Sequence, residues 1–272
     1  MNTRLRRYWQ TLRAVARSAF AAAVFTALAL GLSLLLLPSG RWLGRSGQRG
    51  ERALRSQLAA QRLLHRAARL YLKILTRAGL LRVASRDVEL LWRGGPHLVV
   101  SNHPTLVDFV VLCALMPQAD CIVNPARARN PLLRQLVRAA GYVRSDAGQD
   151  LVRESAERLR RGRSLVIFPE GTRSPAGSLG PFQRGAARVA LSVGCDILPV
   201  LITCEPPAMW KRWKWSELPD RPIHVTVRVR EPIRWSPIGE GGFSSSVAAR
   251  KLTAEIRESF VKGLEIGNFG DA

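Results

Sequence analysis

Two short stretches carry residue types that could do chemistry together. The first, residues 97 to 109, reads HLVVSNHPTLVDF. Leu98, Val99 and Val100 form an apolar run of strand type that stops at Ser101 and Asn102. His103 and Pro104 follow, and Asp108 stands inside the next apolar run. In one continuous helix, residues five apart point about 140° away from each other, so the two side chains would not meet. Pro104 favours the first helical position. That leaves His103 in the strand-to-helix turn and puts Asp108 about one turn inside, where its carboxylate can reach back to the imidazole. A carboxylate that accepts from one ring nitrogen fixes the tautomer and raises the basicity of the other nitrogen. This is the Asp–His half of a triad without a serine, suited to a general base that takes a proton from a hydroxyl. Helix capping is the alternative role for an aspartate at this spacing.

The second stretch, residues 164 to 174, reads SLVIFPEGTRS. Leu165 to Phe168 is a strand candidate and Pro169 to Ser174 a turn at its carboxyl end, where α/β sheets bind ligands. Gly171 lets backbone N–H groups approach an anion, and Arg173 offers a planar fork that matches phosphate. Glu170 would hold that arginine or bind a substrate hydroxyl. An ordinary polar turn is the plain alternative.

The elements that must position these residues alternate in type. Strand candidates are 87–92, 97–101, 120–124, 164–168, 197–203 and 223–231, and helix candidates are 105–116, 130–140, 148–161, 182–193 and 247–262. Such alternation predicts an α/β domain with a largely parallel central sheet flanked by helices. The segment 204–222, with Pro206, Pro207, Pro219 and Pro222, reads as a long loop. There Trp210, Trp213 and Trp215 interleave with Lys211, Arg212 and Lys214, a pattern that suits a lipid headgroup region or stacking on nucleic-acid bases.

The amino-terminal part differs. Residues 18–37 hold no charge and are long enough to cross a bilayer core of about 30 Å; a buried core helix is the other reading. Pro38, Ser39 and Gly40 end the segment. Arg4, Arg6, Arg7, Arg13 and Arg17 precede it and Arg41, Arg45, Arg49, Arg52 and Arg55 follow, so the positive-inside rule does not orient it. A single span and a segment that dips in and returns both fit. Over 51–80, Arg52, Arg55, Arg62, Arg66, Arg69, Lys73 and Arg77 form a cationic stripe of helical period. Leu54, Leu58, Leu64, Ala68, Leu72 and Leu75 lie largely opposite. This predicts a basic amphipathic helix, at home on anionic lipid or as a soluble helix with a solvated face. The expected division is membrane-associated helices over 1–82 and an α/β domain over 83–272.

The chain has 272 residues, 47% of them hydrophobic, and a net charge of +22. That is enough for one sizeable core and implies an anionic partner: nucleic acid, anionic lipid or an acidic protein. Cys113, Cys121, Cys195 and Cys204 lack C-x-x-C spacing and read as reduced, buried cysteines.

Taken together, Asn102-His103-Pro104, Asp108 and Phe168-Pro169-Glu170-Gly171-Thr172-Arg173-Ser174 resemble the glycerolipid acyltransferases, which include the lysophosphatidic acid acyltransferases. Phe182-Gln183-Arg184-Gly185-Ala186 is similar to that family's Phe-x-Lys-Gly-Ala segment, and Leu198-Pro199-Val200 to its last block. The likeness runs from about residue 85 to 235. It implies transfer of a fatty acyl group from a thioester, on acyl carrier protein or coenzyme A, to the hydroxyl of a lysophospholipid such as 1-acylglycerol-3-phosphate. His103 would be the base and Asp108 its orienter. Glu170, Gly171, Thr172 and Arg173 would bind the acceptor, joined by Arg184 and by Arg144. In the family's Gly-x-x-apolar-x-x-Arg element the arginine comes later than Arg144 does here. No cofactor, metal or acyl-enzyme is implied beyond the thioester co-substrate. The expected setting is a bacterial inner membrane with the catalytic domain facing the cytoplasm, and the partners are anionic lipid and acyl carrier protein. Residues 117–123, 139–142 and 182–186 also resemble acyltransferases found with aryl-polyene and xanthomonadin pathways, which implies a specialised acyl chain as the alternative donor. A nucleic-acid-binding protein or a non-catalytic membrane scaffold would leave the two motifs unused.

Overall fold

The computed structural model describes residues 3–37, 50–175, 177–212, 219–234 and 245–267. Pro38 to Gly40, Arg41, Arg45 and Arg49, and Trp213, Lys214 and Trp215 lie outside the described residues. Helix α1 spans Thr3–Leu35 and α2 Glu51–Arg77. The sheet then begins with β1 (Leu81–Arg86), followed by β2 (Leu98–Ser101), α3 (Asp108–Leu115) and β3 (Asp120–Val123). Two helices, α4 (Pro125–Arg129) and α5 (Pro131–Ala140), lead to β4 (Val143–Arg144) and α6 (Gln149–Arg160). Finally come β5 (Leu165–Ile167), α7 (Gly185–Val193), β6 (Ile197–Glu205), β7 (Ile223–Val229) and α8 (Ser245–Gly267). Asn124 and Asn130 start α4 and α5 by accepting from Ala126 N–H and Leu132 N–H at 2.9 Å, each with a proline at the first helical turn.

Among the described residues the strands form one seven-stranded sheet in the order β1-β7-β6-β2-β5-β3-β4. Every neighbouring pair is parallel except β6 with β7. Alternate residues serve opposite layers, as the pleat requires. Val99, Val166, Leu198, Val200 and Ile202 pack with Tyr71, Leu72 and Leu75 of α2 and Val111 and Leu112 of α3. Leu98, Val100, Leu165, Ile197 and Leu201 pack with Ala186 and Val189 of α7 and Leu252, Ile256 and Phe260 of α8. Burying side chains of this size contributes about 1.5–3 kcal/mol each. The four cysteines are free thiols, and burial pushes Cys113 up to about 12, which keeps it protonated at neutral pH.

Two expectations about strands change. Residues 88–91 are a 3-10 turn rather than a strand, because Asp87 takes a left-handed backbone (φ 57°) and ends the ladder. Strand β1 lies just before it, so the expected boundary at 82/83 falls inside a strand. The mostly exposed, basic β1 gives little alternation to read.

The arginine stripe of α2 is exposed, as its period predicts. Its other side, however, faces protein: Ala53, Gln57, Ala60, Gln61, Ala68, Tyr71, Leu72 and Leu75 are buried. Gln61 donates to Asp120 Oδ1 and Ala140 O at 3.0 Å, and Gln57 Oε1 accepts from Arg163 at 3.0 Å. Asp120 is fully buried and also receives Arg158 at 3.1 Å and Arg163 at 2.6 Å. Helix α1 lies along the same flank. Arg17 donates to Asp220 O at 2.8 Å, Ala21 O accepts from Tyr71 OH at 3.3 Å, and Ser33 donates to Leu132 O at 3.1 Å. Its outer side leaves Tyr8, Trp9, Leu12, Phe20, Leu30 and Leu34 exposed.

Removing the charge of Asp120 leaves two nearly buried guanidinium groups unpaired, which costs far more than the intact pair contributes. Asp120→Asn is expected to lower unfolding free energy by about 3 kcal/mol, read from denaturant unfolding.

Candidate active site

Strands β2, β5, β3 and β6 all point their carboxyl ends to one edge of the sheet, and the two chemical motifs lie there. At the end of β2, Asn102 replaces backbone pairing with its side chain. Its amide donates to Ile202 O and accepts from Ile202 N–H, both at 2.8 Å. His103 comes next, held through its own peptide: its N–H donates to Glu170 Oε1 at 3.0 Å, and its carbonyl accepts from Ser174 N–H at 2.8 Å. The imidazole stacks on Phe168, with ring centres 4.4 Å apart and planes at 28°.

His103 Nδ1 and Asp108 Oδ2 are 2.7 Å apart. The pair expected from sequence therefore exists, although the chain builds it differently. Helix α3 begins at Asp108, not at Pro104. Residues 105–107 form a bend, and Asp108 accepts from Thr105 N–H at 2.7 Å and from the Thr105 hydroxyl. Val107 N–H returns to Thr105 Oγ1 at 3.2 Å. The carboxylate thus sits at the helix N-terminus, where the dipole favours negative charge. Asp108 is fully buried, and burial raises its pKa; hydrogen bonds and charge from His103, with the bonds from Thr105, pull the other way. An ionised carboxylate can only accept in this contact, so with Asp108 ionised Nδ1 is the donor and Nε2 faces away from the pair. Nε2 has no protein hydrogen bond among the described residues, and the side chain is 21% exposed.

The turn after β5 is closed by Gly171 N–H to Phe168 O at 3.1 Å, with Gly171 at φ +65°. That N–H closes the turn, and the positive φ is one that glycine adopts without strain. Thr172 stands exposed at the tip. Arg173 is half-buried and donates to Met209 O at 2.7 Å. Burial and the neighbouring Arg127 lower its pKa, and the charge of Asp108 opposes them. Arg127, on α4, is thus the cation nearest in effect to Arg173, and nothing in its sequence surroundings singles it out.

Glu170 and Arg144 are placed otherwise than expected. Glu170 faces inward, 4% exposed, with both oxygens taken by protein donors, so it meets neither Arg173 nor open solvent. Arg144 lies on β4, separated from β2 by β5 and β3, and pairs with Asp146 at 2.5 and 2.9 Å. Arg184 is exposed just before α7, one residue past Gln183, whose N–H bonds Pro169 O at 2.7 Å. Thr105 was overlooked although Thr105-x-x-Asp108 has capping-box spacing.

Residues 82–203 match the family model described as Acyltransferase. Residues 82–203 are thus an acyltransferase domain by that match, similar to the glycerolipid acyltransferases. A 1-acyl-sn-glycerol-3-phosphate acyltransferase of Cocos nucifera is 33% identical over 144 residues, 50% of this chain and 46% of the relative. A lyso-ornithine lipid O-acyltransferase of Pseudomonas aeruginosa is 37% identical over 112 residues, 40% of this chain and 43% of the relative. The matched part of the chain thus spans about half the length of these relatives or less. In fold, the acyltransferase domain and the helices before it resemble the crystal structure of PlsC, the 1-acyl-sn-glycerophosphate acyltransferase of Thermotoga maritima. The TM-score is 0.65 at 24% identity, over 96% of this chain and 98% of that one.

The acyltransferase domain carries a stability cost at Asp108. A carboxyl whose folded pKa is raised contributes stability only below its unfolded pKa, and that contribution is lost as pH rises through the folded value. Asp108→Asn removes that penalty, but an amide that donates to Nδ1 selects the wrong tautomer and also meets Thr105 N–H, which Oδ2 accepts. At pH 7, turnover should fall about a hundred- to ten-thousandfold, with a loss of stability of about 1–3 kcal/mol for the orphaned N–H. Turnover kept in a folded Asp108→Asn chain would contradict this.

Proposed function

We propose that this chain is a membrane-associated O-acyltransferase. It would move a fatty acyl group from an acyl thioester, on acyl carrier protein or coenzyme A, to the hydroxyl of a lysophospholipid such as 1-acylglycerol-3-phosphate. The observation that carries the reading is the water-excluded Asp108 on His103 Nδ1, with Nε2 unbonded at the strand-end edge. Nε2 takes the acceptor's hydroxyl proton as the oxygen attacks the thioester carbonyl carbon. The tetrahedral intermediate then collapses, the C–S bond breaks, and the leaving thiolate takes the proton back from the imidazolium. An ester and a free thiol result. Asp108 stabilises the imidazolium while it lasts.

Arg173 and Arg127 supply positive charge for an acceptor phosphate. The net charge of +22 suits an acidic carrier protein as well as anionic lipid. Helix α1 is tied to the rest of the chain from Arg17 to Ser33, about 24 Å of helix. That favours the reading in which it dips into the lipid by its exposed apolar side over a full crossing. The catalytic edge would then face the cytoplasm of a bacterial cell, at the inner membrane.

A second acceptor is favoured by the lyso-ornithine lipid relative, whose named substrate has an amino-acid headgroup in place of a phosphate. The test is transfer in detergent–lipid micelles, with carrier-protein, coenzyme A and polyene thioesters as donors. Wild type should form ester and His103→Ala should not. Arg127→Ala and Arg173→Ala should raise KM for lysophosphatidic acid about tenfold or more, as loss of charged hydrogen bonds does. With lyso-ornithine lipid their effect should be small. Ester formation by His103→Ala equal to wild type would overturn the reading.

A further inference from the structure

Glu170 is a charged residue at this edge whose surroundings fit poorly with substrate contact. It is 4% exposed and accepts three protein hydrogen bonds. Oε1 receives His103 N–H at 3.0 Å and the Ser174 hydroxyl at 2.7 Å, and Oε2 receives Gly180 N–H at 2.8 Å. A Cβ at residue 180 would lie 2.8 Å from Oε2, so the approach needs a glycine there. The neighbouring Ser174 N–H closes the same frame on His103 O at 2.8 Å. Both peptide groups flanking the His103 Cα are therefore fastened to the turn that bears Arg173.

We propose that Glu170 is a positioning residue: it sets the base through the main chain of His103 and does not bind the acceptor. The inference rests on the acyl-transfer reading for its kinetic consequence, though not for its structural one. A bond to a side chain would orient only a ring. A bond to the peptide fixes where the Cα, and hence Nε2, stands relative to an acceptor held by Arg173. Misplacing a reacting group by about 1 Å costs on the order of a hundredfold in rate. The carboxylate is the right group for this work, since one side chain must accept from three donors that water cannot reach. Gly180 is joined to the same knot through its N–H.

The test uses the full chain in micelles, with Glu170→Gln and the milder Ser174→Ala, which leaves the carboxylate in place. Glu170→Gln should lower kcat about ten- to hundredfold and leave KM for lysophosphatidic acid within about twofold, a split that marks loss of alignment rather than of binding. Ser174→Ala should show the same split, smaller. Hydrogen exchange gives a reading independent of activity: both variants should speed exchange at His103 while the β6 and β7 amides stay protected. A raised KM with kcat kept would make Glu170 an acceptor ligand and overturn the proposal. So would unchanged exchange at His103 in both variants. If wild type transfers nothing, the function assigned above fails, and the exchange result still decides the positioning role. If Glu170→Gln does not fold, Ser174→Ala decides it.

Discussion

The hydrogen bond between His103 Nδ1 and Asp108 Oδ2 would serve the proposed base only because Asp108 is shut away from water. In solvent the same contact would be screened and the ring free to turn. Inside, the carboxylate must find every partner among protein groups, and it finds them in Thr105 and His103. That requirement explains the bend at 105–107, the late start of α3 and the helix N-terminus beneath the carboxylate. Burial raises the pKa of Asp108, and the bonds from His103 and Thr105 oppose that shift.

The sheet meets this demand by placing β2 in its middle. Strand β6 on one side takes the Asn102 amide, and the turn after β5 on the other takes the His103 peptide. The chain leaves these neighbouring strands in opposite directions, the arrangement that opens a crevice at their carboxyl ends. Helices α1 and α2 close the layer on one face. The Asp120 network joins α2 to the opposite edge of the sheet, so the basic stripe and the strand ends that carry His103 belong to one packed unit.

Much of this was legible in the sequence. The spacing of His103, Pro104 and Asp108 required a turn between strand and helix, and Phe168 to Ser174 required a second turn at a strand end. The alternation of strand and helix patterns from residue 97 onward gave the layers, because buried strands such as Leu98–Ser101 are apolar on both faces. What stayed hidden depends on partners remote in the chain. The role of Glu170 is set by His103 and Gly180, which no local pattern links to it. Arg144 looked useful by motif, yet its strand lies beyond β5 and β3. Strand β1 was missed because an exposed basic edge carries no apolar alternation, and the inner face of α2 mixed Gln57 and Gln61 with its leucines.

The central claim is that Asp108 holds His103 as a neutral ring with its proton on Nδ1 and its lone pair on Nε2. Nitrogen-15 NMR of the histidine-labelled chain in detergent micelles at neutral pH reads this directly, with His103 assigned from the His103→Ala spectrum. The account predicts a protonated, hydrogen-bonded Nδ1 and an unprotonated Nε2. A ring whose proton sits on Nε2, or one that exchanges freely between the two tautomers, would contradict it.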